Sequence, residues 1–209
     1  MTSKYIFVAG APGSKWSSVV KNIYYSPSID RSDYRDEWTY YHDAAGEMQL
    51  MHLGAYFDPG MECSIPEDLH SYSRADLEAM FDAPFDTNSR GRRIIKSHIF
   101  ANHIDFLKQV FHEVPIVLVH RSDDACLGWW VKCGHFNITY PKYDYYYKDL
   151  RTMAQIIKQQ NEGINTAWWG RIGQDAVNNQ ALARILNLEP PPEEYQQNYV
   201  KADVRVRVI

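Results

Sequence analysis

Four side chains able to carry charge or a proton, Lys15, Lys96, His98 and Arg121, stand directly after apolar runs or in a glycine-bearing loop. The loop, Gly10-Ala11-Pro12-Gly13-Ser14-Lys15-Trp16-Ser17-Ser18, follows the run Tyr5 to Ala9 and opens a helical stretch, Ser17 to Tyr24. A strand, glycine-bearing turn and helix start in that order can grip phosphate. Glycine lets the backbone wrap the anion, the first N–H groups of the helix donate to it, and the helix dipole favours its charge. Lys15 and the hydroxyls of Ser17 and Ser18 would complete the cradle. Two further runs end in chemistry: Arg93-Ile94-Ile95 leads into Lys96-Ser97-His98, and Pro115 to Val119 leads into His120-Arg121. In a parallel α/β sheet, ligands sit beyond the carboxyl ends of the strands. Ser14, Lys15, Lys96, His98 and Arg121 would therefore converge on one cationic pocket with a single titratable base.

Each residue also has a plainer reading. The loop alone suits a tight turn with a serine cap, and a lone histidine after a strand is more often a hydrogen-bonded structural residue. Arg121 has Asp123 and Asp124 within pairing reach, Trp16 either stacks on a base or wedges its helix into the core, and His120 reads as structural. It is the coincidence of three strand ends that favours function. A nucleotide kinase of the P-loop kind would need Gly-Lys-Ser/Thr at the end of the loop and an apolar strand ending in Asp. Here Lys15 precedes Trp16, and the Ile116 to Val119 run ends in His120-Arg121.

The elements that must position these residues alternate. Buried-type strands are expected at Tyr5 to Ala9, Arg93 to Ile95 and Pro115 to Val119, with another at Met48 to Tyr56. Helices are expected at Arg74 to Phe81 behind Ser73, from Asn102 or Asp105 to Phe111, from Ser122 to Lys132, from Lys148 to Asn161 and from Ala176 to Leu186, ahead of Pro190-Pro191-Pro192. That order predicts a single α/β domain over residues 1–209, a three-layer sandwich around a central parallel sheet with the phosphate-type loop at its N-terminus. The polar stretch 26–66 and the tyrosine-rich stretch 139–147 read as acceptor-side loops. Val204 to Ile209 alternates like an edge strand, a possible route to a homo-oligomer.

Composition narrows the field. A net charge of −4 offers no field for nucleic acid or an anionic membrane. The 14% aromatic share suits ring stacking or a thick core equally. Cys63, Cys126 and Cys133 lack metal-type spacing and read as buried thiols of a reducing compartment. Without a basic-then-apolar leader or a long apolar segment, a soluble, cytoplasmic protein is expected, and the Asn137-Ile138-Thr139 sequon then carries no meaning.

The three strand ends resemble the sulfotransferases that use 3′-phosphoadenosine 5′-phosphosulfate (PAPS), over about Tyr5 to Trp130. Pro12-Gly13-Ser14-Lys15-Trp16-Ser17 is similar to that family's 5′-phosphosulfate loop, Lys96-Ser97-His98 to its Lys-Thr-His element, and Val117 to Arg121 with the helix through Trp130 to its 3′-phosphate motif. The Asn179 to Pro190 helix looks like the family's closing helix. The sequence departs from the pattern where Gly13 replaces a lysine, Lys15 and Trp16 replace Gly and Thr, and Trp129 replaces a serine that helps hold the 3′-phosphate. Gly170-Arg171-Ile172-Gly173 only faintly resembles the C-terminal Arg-Lys-Gly element.

The resemblance implies sulfuryl transfer from PAPS to a hydroxyl or amine of an acceptor (a small molecule, glycan or peptide), releasing PAP and needing no metal. It implies His98 as general base, Lys96 stabilising charge on the moving or leaving group, the 12–18 loop with Lys15 on the 5′-phosphate, and Arg121 with position 129 on the 3′-phosphate. Two alternatives remain open: a P-loop-type nucleotide or small-molecule kinase, and a non-catalytic nucleotide-binding relative.

Overall fold

The computed structural model describes residues 3–29, 31, 40–44, 47–52, 55–57, 65–85, 91–132 and 149–209, and for 40–44 and 47–52 the backbone alone. Cys63, Cys133, the sequon at 137–139, the tyrosine-rich stretch 139–147 and much of the 26–66 stretch lie outside the described residues.

The apolar runs form strands where expected. β1 (Tyr5–Gly10) is buried along its whole length, as are β5 (Arg93–Lys96) and nearly all of β6 (Ile116–His120). β1 pairs in parallel with both, and β5 in turn pairs in parallel with the short β4 (Ala55–Tyr56). The expected strand at Met48 to Tyr56 is broken in two. Its first part, β3 (Glu47–His52), forms a separate hairpin with β2 (Tyr40–Ala44), and only Ala55–Tyr56 reaches the main sheet.

The wholly parallel sheet is corrected at its far side. The C-terminal strand β8 (Arg205–Val208) runs antiparallel to β6, and β7 (Gln174–Asp175) pairs antiparallel with β8. The full order is β4-β5-β1-β6-β8-β7, a mixed sheet. The cause is the point of entry. The chain turns at Asp203, in left-handed conformation at φ 55, and starts β8 with Arg205 opposite His120 at the carboxyl end of β6. A parallel partner would have to start at the other end after a crossover. Val204 to Ile209 is thus an internal strand of this chain, its pairing groups occupied by β6 and β7.

Alternate side chains of β1 feed two hydrophobic layers. Ile6 and Val8 pack with α1 (Trp16–Tyr24), Cys126 and Trp130 of α4 (Asp123–Lys132) and Leu182 of α6 (Asn179–Ile185). Tyr5, Phe7 and Ala9 face α2 (Arg74–Asp82) and α3 (Ile104–Val110). Phe7 meets the rings of Phe100, Phe111 and Phe81 at centroid distances of 5.2, 5.3 and 5.4 Å; replacing such a residue by Ala costs about 3–5 kcal/mol. Helices thus cover both faces of the sheet, as in a coarse α/β sandwich. Ser73 caps α2 through a reciprocal capping box with Asp76, as its position before the helix predicts.

α5 (Leu150–Gly170) runs nine residues beyond the expected end at Asn161. Asp149 caps it by accepting from the backbone N–H groups of Arg151 and Thr152. Its early residues Met153 and Ile157 join the first hydrophobic layer, whereas Ile164, Ala167 and Trp168 join the second. The middle of the helix therefore lies across the carboxyl ends of the strands. There Asn161 Nδ2 donates to the Arg121 carbonyl at 2.9 Å, and Gly163 backs onto the Ala101 carbonyl of the single-turn helix Ile99–Asn102.

Candidate functional site

Ala11-Pro12-Gly13-Ser14 closes as a β-turn, the Ser14 N–H donating to the Ala11 carbonyl at 3.0 Å. Proline at the second position and Gly13 at φ +76 are what a type II turn requires. Gly13 is there for a second reason. A Cβ at this position would lie 2.0 Å from the backbone oxygen of Cys126 in α4. No side chain fits, so the lysine that the resembling family carries here is excluded by contact between loop and helix.

Lys15 follows as the N-cap of α1, itself left-handed at φ 61. Lys15 makes no side-chain cap bond to this helix, and the Ser18 amide of its first turn donates to the Lys15 carbonyl at 3.0 Å. Ser14 is 1% exposed, and its Oγ has no hydrogen-bond partner. Pro12 is buried beside it, Ser18 half-buried, and Ser17 exposed toward solvent.

Lys15 and Trp16 leave the loop toward opposite neighbours. Trp16 turns toward β5 and stacks on His98, with ring centroids 3.9 Å apart and planes 10° apart. Tyr56 closes this group edge-on, 5.6 Å from Trp16 and 5.8 Å from His98. Lys15 turns toward α4 and sets its ammonium 3.8 Å from the centre of the Trp129 ring. Neither the adenine-stacking nor the simple wedging reading of Trp16 anticipates an imidazole as its partner.

His98 is 4% exposed. Its Nδ1 bonds the Gly10 carbonyl, which can only accept, so Nδ1 carries the proton and Nε2 is the basic nitrogen of the neutral ring. Lys96, two residues earlier on β5, has no exposed surface and lies 6.0 Å from the Tyr56 ring. Burial pushes its ammonium well below the usual lysine range.

Arg121 is held by backbone carbonyls. Its Nη1 donates to the Ala125 carbonyl at 2.9 Å and its Nε to the Ala202 carbonyl at 3.0 Å. The guanidinium thus fastens α4 to the segment leading into β8, and neither Asp123 nor Asp124 is its partner. Asp123 accepts from Asn161 Nδ2 at 2.6 Å instead. Arg171, from the faint C-terminal stand-in, pairs with Asp105 at 2.5 Å.

His120 is held between two side chains. Its Nδ1 meets Arg205 Nη2 at 2.8 Å and its Nε2 meets the Asn165 amide at 3.1 Å. Burial and the Arg205 charge push its pKa down to about 4. Cys126 is a buried free thiol raised to about 12 by burial, in keeping with a structural cysteine.

Sequence reasoning missed Gln160 and Asn161. Both are buried in α5, and the side-chain oxygen of each has no hydrogen-bond partner. Their signal was visible: two amides falling within the apolar spacing of a helix. Among the described residues no cluster of His, Cys, Asp and Glu could hold a metal ion, and no helix is long and apolar enough to cross a membrane.

The loop, the Lys96-to-His98 end and the Arg121 end lie on the adjacent strands β5, β1 and β6 at their carboxyl ends. Comparison with protein-family models, curated proteins and solved structures found no match to this chain.

Proposed function

We propose that this chain is a transferase that binds PAPS at the carboxyl ends of β5, β1 and β6 and moves its sulfuryl group to a hydroxyl or amine. The observation that carries this reading is the strand order. It sets the His98 strand on one side of the phosphate-type loop and the Arg121 strand on the other, with an uncapped helix start between them.

In the proposed step the acceptor oxygen bonds to sulfur as the bond from sulfur to the 5′-phosphate oxygen breaks. His98 Nε2 takes the acceptor proton, a task for which a neutral imidazole with a fixed tautomer suits. Lys96, two residues before His98 on β5, serves the leaving phosphate oxygen as charge partner. The α1 start, with Ser14 buried unpartnered beside it, holds the 5′-phosphate.

One observation favours a second reading. His98 is almost wholly covered, with Trp16 against its face, which suits a non-catalytic nucleotide-binding relative. Transfer of ³⁵S from labelled PAPS, combined with calorimetry of PAP binding, separates the two. Binding with transfer that His98→Ala abolishes, at unchanged PAP affinity, supports the enzyme. Binding without transfer supports the relative. A wild type preferring Mg²⁺·ADP to PAP in a thermal-shift assay points to the kinase alternative, and binding neither nucleotide sinks all three.

A further inference from the structure

The two edge strands of the main sheet differ. β4 is buried at both its residues, whereas both residues of β7 are exposed. Among the described residues the most exposed large apolar side chains are Ile172 at 99%, Trp169 at 78% and Val177 at 67%. All three fall within 169–177, the stretch that ends α5 and forms the open edge. Its backbone is extended at Arg171, at φ −125 and ψ 149, and again at Asn178, at φ −162 and ψ 177. On the inner side Asp175 stands opposite Arg207, and the Ala176 N–H donates to the Val206 carbonyl at 2.8 Å. Bonded and non-bonded pairs alternate along an antiparallel ladder, so the N–H and C=O of Asp175 point away from β8. The same alternation turns the main chain of Val177 outward two residues on. Such a row is a template for another strand, which proteins commonly guard with proline or charge. Here there is no proline, and of the two charges Arg171 is taken by Asp105.

We propose that β7 is a docking edge for an extended segment of another protein, one that carries a Lys or Arg among apolar residues. The incoming strand pairs with the outward main chain of Asp175 and Val177. With so short a ladder, its apolar side chains supply much of the affinity, against Val177 on one face of the sheet and Ile172 on the other. The cation is called for by Asp175. Arg207 Nη1 donates to its Oδ1 at 2.7 Å, yet the carboxylate is still 53% exposed, and an opposite charge directly across a ladder is stabilising. A second copy of this chain meets a penalty at the same place. Outward groups must face outward groups, and the register that overlaps two such edges fully sets two Asp175 carboxylates opposite one another. Val177 also lines a cleft of about 550 Å³ with Gln196, Val200 and Lys201, which gives the segment room to run on past the start of α6. Asp175 and Val177 lie outside the proposed nucleotide site, so docking and PAP binding are separable.

The test uses the full chain and a labelled, end-blocked peptide, Thr-Val-Ile-Lys-Ile-Val-Thr, whose palindromic order suits either strand direction. Binding is read by fluorescence anisotropy, main-chain pairing by hydrogen exchange, and the oligomeric state of the chain alone by sedimentation. The expected result is saturable binding that slows exchange at Asp175 and Val177, with a monomeric chain. Putting Glu for the peptide's Lys should weaken binding, and proline for its two Val residues should abolish it. Asp175→Lys should reverse the preference to the Glu peptide, and Ile172→Ser should weaken binding about threefold or more. Ile172 is almost wholly exposed, so its variant retains the fold. Absence of saturable binding overturns the proposal, as does binding indifferent to proline and to both variants. A chain that sediments as a dimer and is made monomeric by Ile172→Ser also overturns it, assigning the edge to a second copy.

Discussion

At the scale of single residues, the proposed chemistry depends on groups held against their own preference. Lys96 is the clearest case. Burial lowers its pKa well below the unfolded value near 10.4, so the folded chain binds its proton less readily than the unfolded chain does. For a basic group depressed in this way, stability is fully present above the unfolded pKa and is lost as pH falls through the folded one. Lys96→Met, close in length and free of charge, should therefore flatten the dependence of stability on pH below the ordinary lysine range, read from urea unfolding at several pH values, and should lose sulfuryl transfer. A Met variant with the wild-type pH slope would place that dependence elsewhere. Gly13 is held differently. Its φ of +76 and the Cys126 carbonyl together admit nothing larger, which is why the loop's cation appears two residues later.

At the scale of elements, α5 is the piece on which access to the strand ends turns. It crosses from one hydrophobic layer to the other, and it is seated on the Ile99–Asn102 turn through Gly163, where a Cβ would meet the Ala101 oxygen at 2.2 Å. Helical glycine replaced by alanine ordinarily stabilises by up to about 1 kcal/mol. Gly128 in α4 should behave so, since a Cβ there meets nothing within 4 Å. Gly163→Ala should have the opposite sign, destabilising by about 1–3 kcal/mol because α5 must lift from the Ile99–Asn102 turn. Paired thermal melts of the two variants provide the check. Equal stabilisation in both would mean that α5 is not seated on that turn.

At the scale of the whole molecule, the sheet takes β8 in between β6 and β7. β8 is pinned at its start, where Arg205 donates to His120 and His120 reaches Asn165 of α5. His120 titrates near 4 when folded and near 6.5 when unfolded, so the unfolded chain takes up the proton first. Stability should accordingly fall as pH drops from about 6.5 to about 4, with protonated His120 set against Arg205. Melting temperatures across that range, compared with His120→Gln, isolate the effect. A variant with the same pH slope as wild type would place the acid sensitivity elsewhere.

Legibility followed physical range. Strands β1, β5 and β6 were readable because burial on both faces demands unbroken apolar runs, and the cap of α2 because Ser73 and Asp76 are local partners. Convergence of the loop with Lys96 and His98 was readable from the rule that parallel strands end on one side. By itself the sequence determined strands β1, β5 and β6, the start of α2 and the glycine-bearing turn, because those depend on neighbours a few residues apart. Only the tertiary structure decided the direction of β8, the diversion of Arg121 to Ala125 and Ala202, the stacking of Trp16 on His98 and the meeting of Lys15 with Trp129. Those outcomes depend on where the chain re-enters the sheet and on which surfaces α4 and α5 press together, contacts between segments whose separation along the chain carries no local signal.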